Sequence, residues 1–154
     1  RMLIKNEFKR IFYPLNETTS FKLNQIFREL TRNKTKEKKN IITKGRNFRI
    51  DNYFAGFVRL KFNVLCDANL GSEDYLNIAS VCKHVFIENV PIFSDQNSNQ
   101  QLRFITLIDI FYEKKIFLTL SLQKDILKIG SSKKHYEIFK RTISRLNEMT
   151  SKIS

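Results

Sequence analysis

Apolar side chains recur along this chain at two spacings, and the spacings divide it into helices and strands. Leu23, Ile26, Phe27 and Leu30 fall at i, i+3, i+4 and i+7. That pattern predicts a helix, opened by the turn at Pro14 and the cap Thr18-Thr19-Ser20. Near the C-terminus Phe139, Thr142, Ile143, Leu146 and Met149 predict a closing helix with one buried stripe. Arg141, Arg145 and Glu148 share a different face of it, one turn apart. A third helix is expected over 73–81, capped by Gly71-Ser72, with Glu73 and Asp74 at its positive end. The fourth, over 101–115, places Leu102, Ile105, Ile108, Phe111 and Tyr112 inward and is apolar nearly all round, which predicts deep burial.

The strands read differently. Val58, Leu60 and Phe62 alternate with Arg59 and Lys61, the pattern of a half-buried strand, and imply antiparallel pairing. Short strands over 40–43 and 47–50 flank a tight turn, Lys44-Gly45-Arg46. His84-Val85-Phe86-Ile87-Glu88 and residues 116–122 are continuous apolar runs on either side of the 101–115 helix. Two such strands joined by a helix predict a right-handed βαβ unit on a parallel sheet. Residues 1–13 read as a basic extended lead-in, 31–40 as a solvated loop and 130–134 as a basic loop. The predicted fold class is α/β: a βαβ unit with parallel strands and packed helices, plus a small basic antiparallel β/helix subdomain. The expected division is a basic subdomain over 1–62 and an α/β subdomain with the closing helix over 63–154, forming one unit.

Composition adds direction. With 14 Phe and 5 Tyr but only 4 Gly and 2 Pro among 154 residues, the chain is built for long regular elements and short loops. Its net charge of +13 is lopsided: residues 1–61 carry 16 Lys/Arg against 5 Asp/Glu, and 62–154 carry 12 against 10. Such a skew suits a solubilising surface or an acidic partner, so a nucleic-acid-binding module using 34–39 and 44–49 is one reading of it. No apolar run approaches the ~18 residues of a membrane span. No signal peptide or lipidation motif is recognisable, which predicts a cytoplasmic protein, or alternatively a mitochondrial matrix one, with Cys66 and Cys82 reduced. The chain opens on Arg1, which suggests a natural start upstream.

Candidate chemistry is sparse. Arg141 and Arg145, held on one helix, have the residue type that clamps a phosphate or carboxylate; the alternative is an Arg–Glu ladder in which Glu148 neutralises both. Glu88 ends an apolar strand, as a metal-holding acid would, although a strand must also end in something polar. Asp109, within an apolar helix, is expected to bond a helix cap or Arg103. Cys66, Cys82, His84 and His135 fit no closed zinc site, and Cys66 reads as a small core residue. Ser121 and Ser144 lack a supporting His and acid.

Five blocks of the chain, in order, resemble the C-terminal half of the ZapE-type P-loop ATPases, a family that includes a bacterial cell-division protein and mitochondrial AFG-type ATPases. They are Lys44-Gly45-Arg46; Phe62, Leu65 and Cys66 with Leu70, Gly71, Asp74, Tyr75 and Leu76; Phe86-Ile87-Glu88-Asn89-Val90-Pro91; Arg103-Phe104-Ile105 with Leu107-Ile108-Asp109 and Tyr112; and Phe139, Arg141-Thr142, Ser144-Arg145-Leu146 and Glu148-Met149. The resemblance implies ATP hydrolysis coupled to remodelling of protein partners, division-ring components in bacteria or membrane-complex components in mitochondria. It implies ATP and Mg²⁺ in the intact protein only. No G-x-x-x-x-G-K-[ST] occurs in these 154 residues, so the chain alone is expected to be inactive and to need a missing N-terminal ATPase half. Arg141 and Arg145 would then reach a phosphate held elsewhere. No metal site is expected.

Overall fold

The computed structural model describes residues 9–151; most of the lead-in expected over 1–13 lies outside them. The chain runs β1 (Ile11–Phe12), α1 (Glu17–Leu30), β2 (Glu37–Thr43), β3 (Arg46–Tyr53), β4 (Phe57–Lys61), α2 (Phe62–Cys66), α3 (Ser72–Ser80), β5 (His84–Val90), α4 (Ser98–Glu113), β6 (Phe117–Leu122) and α5 (Tyr136–Ser151). Four strands form a sheet in the order β1-β6-β5-β4, and every neighbouring pair is parallel. β2 and β3 form a separate antiparallel hairpin. The fold is therefore α/β, and the βαβ unit expected over 84–122 is β5–α4–β6.

Strand alternation divides the sheet's two faces chemically. Val58, Val85, Ile87, Leu118 and Leu120 point to one side and join Phe104, Ile105, Ile108, Phe111 and Leu146 in the main core. The opposite side carries Arg59, His84, Phe86, Glu88 and Thr119, and α1 lies over it: the Phe27 ring meets Phe86 edge-on at 5.1 Å. The structure differs from the sequence expectation at β4 in two respects. The Arg59/Lys61 alternation marks β4 as the half-covered edge of a parallel sheet, with Phe57 to Lys61 in register with His84 to Glu88, and not as a strand of an antiparallel pair. Phe62 also leaves the strand and starts α2.

Local chemistry explains the element ends. Asn16, not the Thr18-Thr19-Ser20 cluster, caps α1, accepting from the Thr19 N–H at 2.9 Å. The hairpin turns through Lys44 and Gly45 with φ of 50° and 80°, the paired left-handed geometry of a type I′ turn. β2 begins at Glu37, so part of the expected 31–40 loop is strand. α4 begins three residues earlier than expected, and Leu102 faces solvent while Phe104, Ile105, Leu107, Ile108 and Phe111 are buried. The stripe of α5 is as expected: Phe139, Thr142, Leu146 and Met149 are buried, with Ile143 packed beside them.

Arg10 seals the β1 side of the sheet. Its guanidinium donates to Leu118 O and Met149 O, both at 2.9 Å. Its backbone exchanges bonds with Thr150 and Leu120. One residue thereby ties β6 to the end of α5.

Candidate functional site

The two arginines of α5 meet one carboxylate, and it belongs to the neighbouring helix. Arg141 Nη2 donates to Asp109 Oδ2 at 3.0 Å, and Arg145 Nη1 to Asp109 Oδ1 at 2.6 Å. Asp109 thus bridges α4 and α5; it does not bond Arg103, whose guanidinium donates to Cys66 O instead. The Arg145 guanidinium also lies 4.5 Å from the centroid of Tyr112, and the Tyr112 hydroxyl donates to Glu148 at 2.9 Å. The charge shared by both arginines comes from across the helix pair, in place of a ladder along α5. Asp109 and Tyr112 stand one turn apart on α4, as Arg141 and Arg145 do on α5, so helical periodicity brings the four together. Arg141 is half exposed, with side-chain accessibility of 52%, against 22% for Arg145. The pair is oriented by Asp109 and Tyr112, with Arg141 the more accessible of the two.

Glu88 stands near the carboxyl end of β5 and receives a bidentate pair from Arg59 of β4, Nε at 2.8 Å and Nη2 at 2.9 Å. Arg59 also donates to Asn24 of α1 and lies over Phe27. The acid is thus engaged in joining β4, β5 and α1. Local sequence does not reveal the Arg59 partner, although the alternating β4 pattern puts Arg59 on the Glu88 face. Beyond these strand ends lies an open cleft of about 490 Å³ lined by Lys61, Asn63, Asp67, Asn89 and Asn97 among others. Open parallel sheets take ligands at this edge.

The β1–α1 turn reaches the same edge, where a phosphate loop would need free backbone N–H groups. Here Pro14 offers none, and the Asn16 side chain takes the N–H of Thr19. The Thr19 hydroxyl donates to Pro14 O at 2.6 Å, so Thr19 is tied to the turn through both its backbone and its side chain.

The basic runs are also largely engaged. Lys44 pairs with Glu73 at 3.2 Å, Arg46 with Asp74 at 3.0 Å and Arg49 with Asp51 at 2.8 Å. Lys34 and Lys39 lie over the rings of Phe57 and Tyr53. The same Asp74 oxygen accepts the Gly71 N–H, so the hairpin turn is clamped to the start of α3.

Cys66 and Cys82 are buried thiols; burial raises the Cys66 pKa strongly and that of Cys82 to about 12. His84 is enclosed by Phe57, Phe86 and Phe117, and its Nε2 meets Thr119 Oγ1 at 2.8 Å. Burial, with the nearby Arg10 charge, pushes its pKa down to about 3, so the ring is neutral at physiological pH. Among the described residues no three His, Cys, Asp or Glu side chains gather as a metal site would require. No described helix is long and apolar enough to cross a membrane.

Residues 3–153 match the family of AFG1-like ATPases, nearly the whole sequence, and the chain belongs to that family. Among its relatives, Lactation elevated protein 1 homolog B of Danio rerio is 32% identical over 110 residues, covering 70% of this chain and 22% of that protein. Cell division protein ZapE of Escherichia coli K12 is 29% identical over 92 residues, covering 60% of this chain and 24% of its own. The chain thus spans about a quarter of the length of these relatives. No solved structure matches it significantly.

Proposed function

We propose that this chain is the C-terminal part of a ZapE/AFG-like ATPase and that it serves ATP hydrolysis performed at a phosphate loop on another segment or chain. In this reading the intact protein uses ATP and Mg²⁺ to remodel a protein partner, of the division ring or of a membrane complex, in a bacterial cytoplasm or a mitochondrial matrix. Arg141 and Arg145 contribute positive charge to a phosphate bound across the interface, with Asp109 orienting them until that anion arrives. The observation that carries the proposal is the Asp109–Arg141–Arg145 arrangement within a chain matched to the AFG1-like family over residues 3–153. Electrostatic stabilisation of a transferring phosphoryl group needs such donors held in place beforehand. Glu88 is assigned a structural role, because its carboxylate already receives a fork from Arg59. The nucleic-acid reading ranks second, since Lys44, Arg46 and Arg49 are paired with carboxylates.

Co-expression with the reading frame encoded immediately upstream tests the proposal. The expected result is a complex that hydrolyses Mg-ATP and loses roughly 10²-fold or more in rate with Arg145→Ala. An active complex whose rate is unchanged in Arg141→Ala and Arg145→Ala would remove the arginines from the chemistry.

A further inference from the structure

The most exposed large apolar side chain in the described structure is Leu127, at 76% accessibility, in the single 3₁₀ turn Ile126–Lys128 that follows β6. It does not stand alone. An open groove of about 400 Å³ runs between this turn and α5, walled by Ile126, Ile129, Phe139 and Ile143, with Leu127 and the 56%-exposed Tyr136 among its lining residues. Isolated exposed leucines are ordinary, whereas a contiguous apolar surface around a groove marks a contact site.

The charge of the surrounding stretch is mostly positive: residues 124–140 carry five lysines against Asp125 and Glu137. The segment that builds the groove carries Lys124, Lys128, Lys133 and Lys134, all exposed. None of these four ammonium groups has a carboxylate within 4.0 Å among the described residues. Lys140, also lining the groove, is partly offset by Glu137 at 3.3 Å. In the β2–β3 hairpin, by contrast, Lys44, Arg46 and Arg49 are paired with carboxylates. An apolar trough lined by Lys140, in a segment with a surplus of lysines, complements a helix with one apolar stripe and acidic flanks.

We infer that this groove docks an acidic amphipathic helix of a protein partner, whose apolar residues at helical spacing enter beside Leu127 and Tyr136 while its carboxylates meet the lysines. The inference rests on the reading that the chain serves a protein-remodelling enzyme and supplies the chemistry of the partner. Because binding needs no nucleotide, its failure is distinguishable from failure of the ATPase reading.

Fluorescence anisotropy of the full chain with a labelled helical peptide, leucine on one stripe and glutamate on the others, tests this. Saturable binding is expected, along with little or none to the counterpart carrying lysine in place of glutamate. Leu127→Asp should weaken it roughly tenfold or more, since a leucine contact is lost and a negative charge faces the acidic flank. Leu127 is exposed, so the variant should melt with the wild type; Lys128→Glu/Lys134→Glu gives an independent variant expected to weaken binding and flatten its salt dependence. Equal affinity for both peptides, or binding unchanged in both variants, would overturn the proposal. Two further outcomes would also overturn it. Binding only to phosphatidylserine-containing vesicles would assign the groove to a membrane surface, and a concentration-dependent dimer abolished by Leu127→Asp would assign it to a second copy.

Discussion

Replacing Asp109 with Asn keeps the side chain's size and removes the charge that joins α4 to α5. Two ion pairs are lost together, and they differ in strength. Arg141 is half exposed, so its pair contributes about 0.2–1 kcal/mol. Arg145 is less accessible, is bonded at 2.6 Å and lies against Tyr112, which raises its share to roughly 1–1.5 kcal/mol. The expected loss is therefore about 2 kcal/mol, or roughly 4–8 °C in Tm for a chain of this size. Urea denaturation of the wild type, Asp109→Asn, Arg145→Met, Arg141→Met and the corresponding doubles measures it. The Asp109–Arg145 coupling should exceed the Asp109–Arg141 coupling, and 1 M salt should erase more of the latter. Asp109→Asn within ~0.3 kcal/mol of wild type, beside a larger loss in Glu148→Gln, would refute the clamp and restore a ladder confined to α5.

Three further outcomes follow from other parts of the fold. Gly130 has φ of 83°, and an added Cβ would lie 2.6 Å from the carbonyl oxygen of Phe93, so Gly130→Ala should cost roughly 2 kcal/mol or more, read as a lower urea midpoint with an unchanged slope. His84 is held neutral with its pKa near 3, whereas the unfolded ring titrates near 6.5. The unfolded state therefore binds the extra proton between those values, so stability is full above pH ~6.5 and falls as pH drops toward 3, by about 2 kcal/mol between pH 7 and 5 from this residue. His84→Gln should flatten that part of the stability–pH curve. Glu88→Gln leaves the Arg59 fork half-satisfied in a largely covered site and should cost roughly 1–3 kcal/mol, whereas Arg59→Met/Glu88→Leu should recover much of the loss.

The motifs that carried the family resemblance turn out to be bonded to one another. Arg46 of the Lys-Gly-Arg turn reaches Asp74 of the Leu-Gly-x-x-Asp-Tyr block. Asp109 of the α4 block holds Arg141 and Arg145 of the α5 block, and Tyr112 reaches Glu148. The βαβ unit and the buried stripe of α5 were legible because local apolar spacing reports them directly. Which carboxylate met the arginines was not, because Asp109 is 32 residues from Arg141 in sequence and only helix packing makes them neighbours. The parallel pairing of β4 was hidden for a related reason. Of its polar alternate positions, Lys61 faces solvent but Arg59 is answered by Glu88 and Asn24, distant in sequence. Leu127 fell in a stretch that carried no periodic pattern.

A family of ATPases is represented here by a chain in which the turn between first strand and first helix is closed by Asn16, Thr19 and Pro14. Pro14 lacks an N–H and the Thr19 N–H is already bonded to Asn16, and Arg141 and Arg145 alone would hold a triphosphate only weakly. Isothermal calorimetry of the 154-residue chain with Mg-ATP is the most direct measurement. The expected isotherm is flat, with no binding tighter than millimolar. A saturable isotherm with micromolar Kd and one site per chain would contradict the claim that this chain serves a phosphate site located elsewhere.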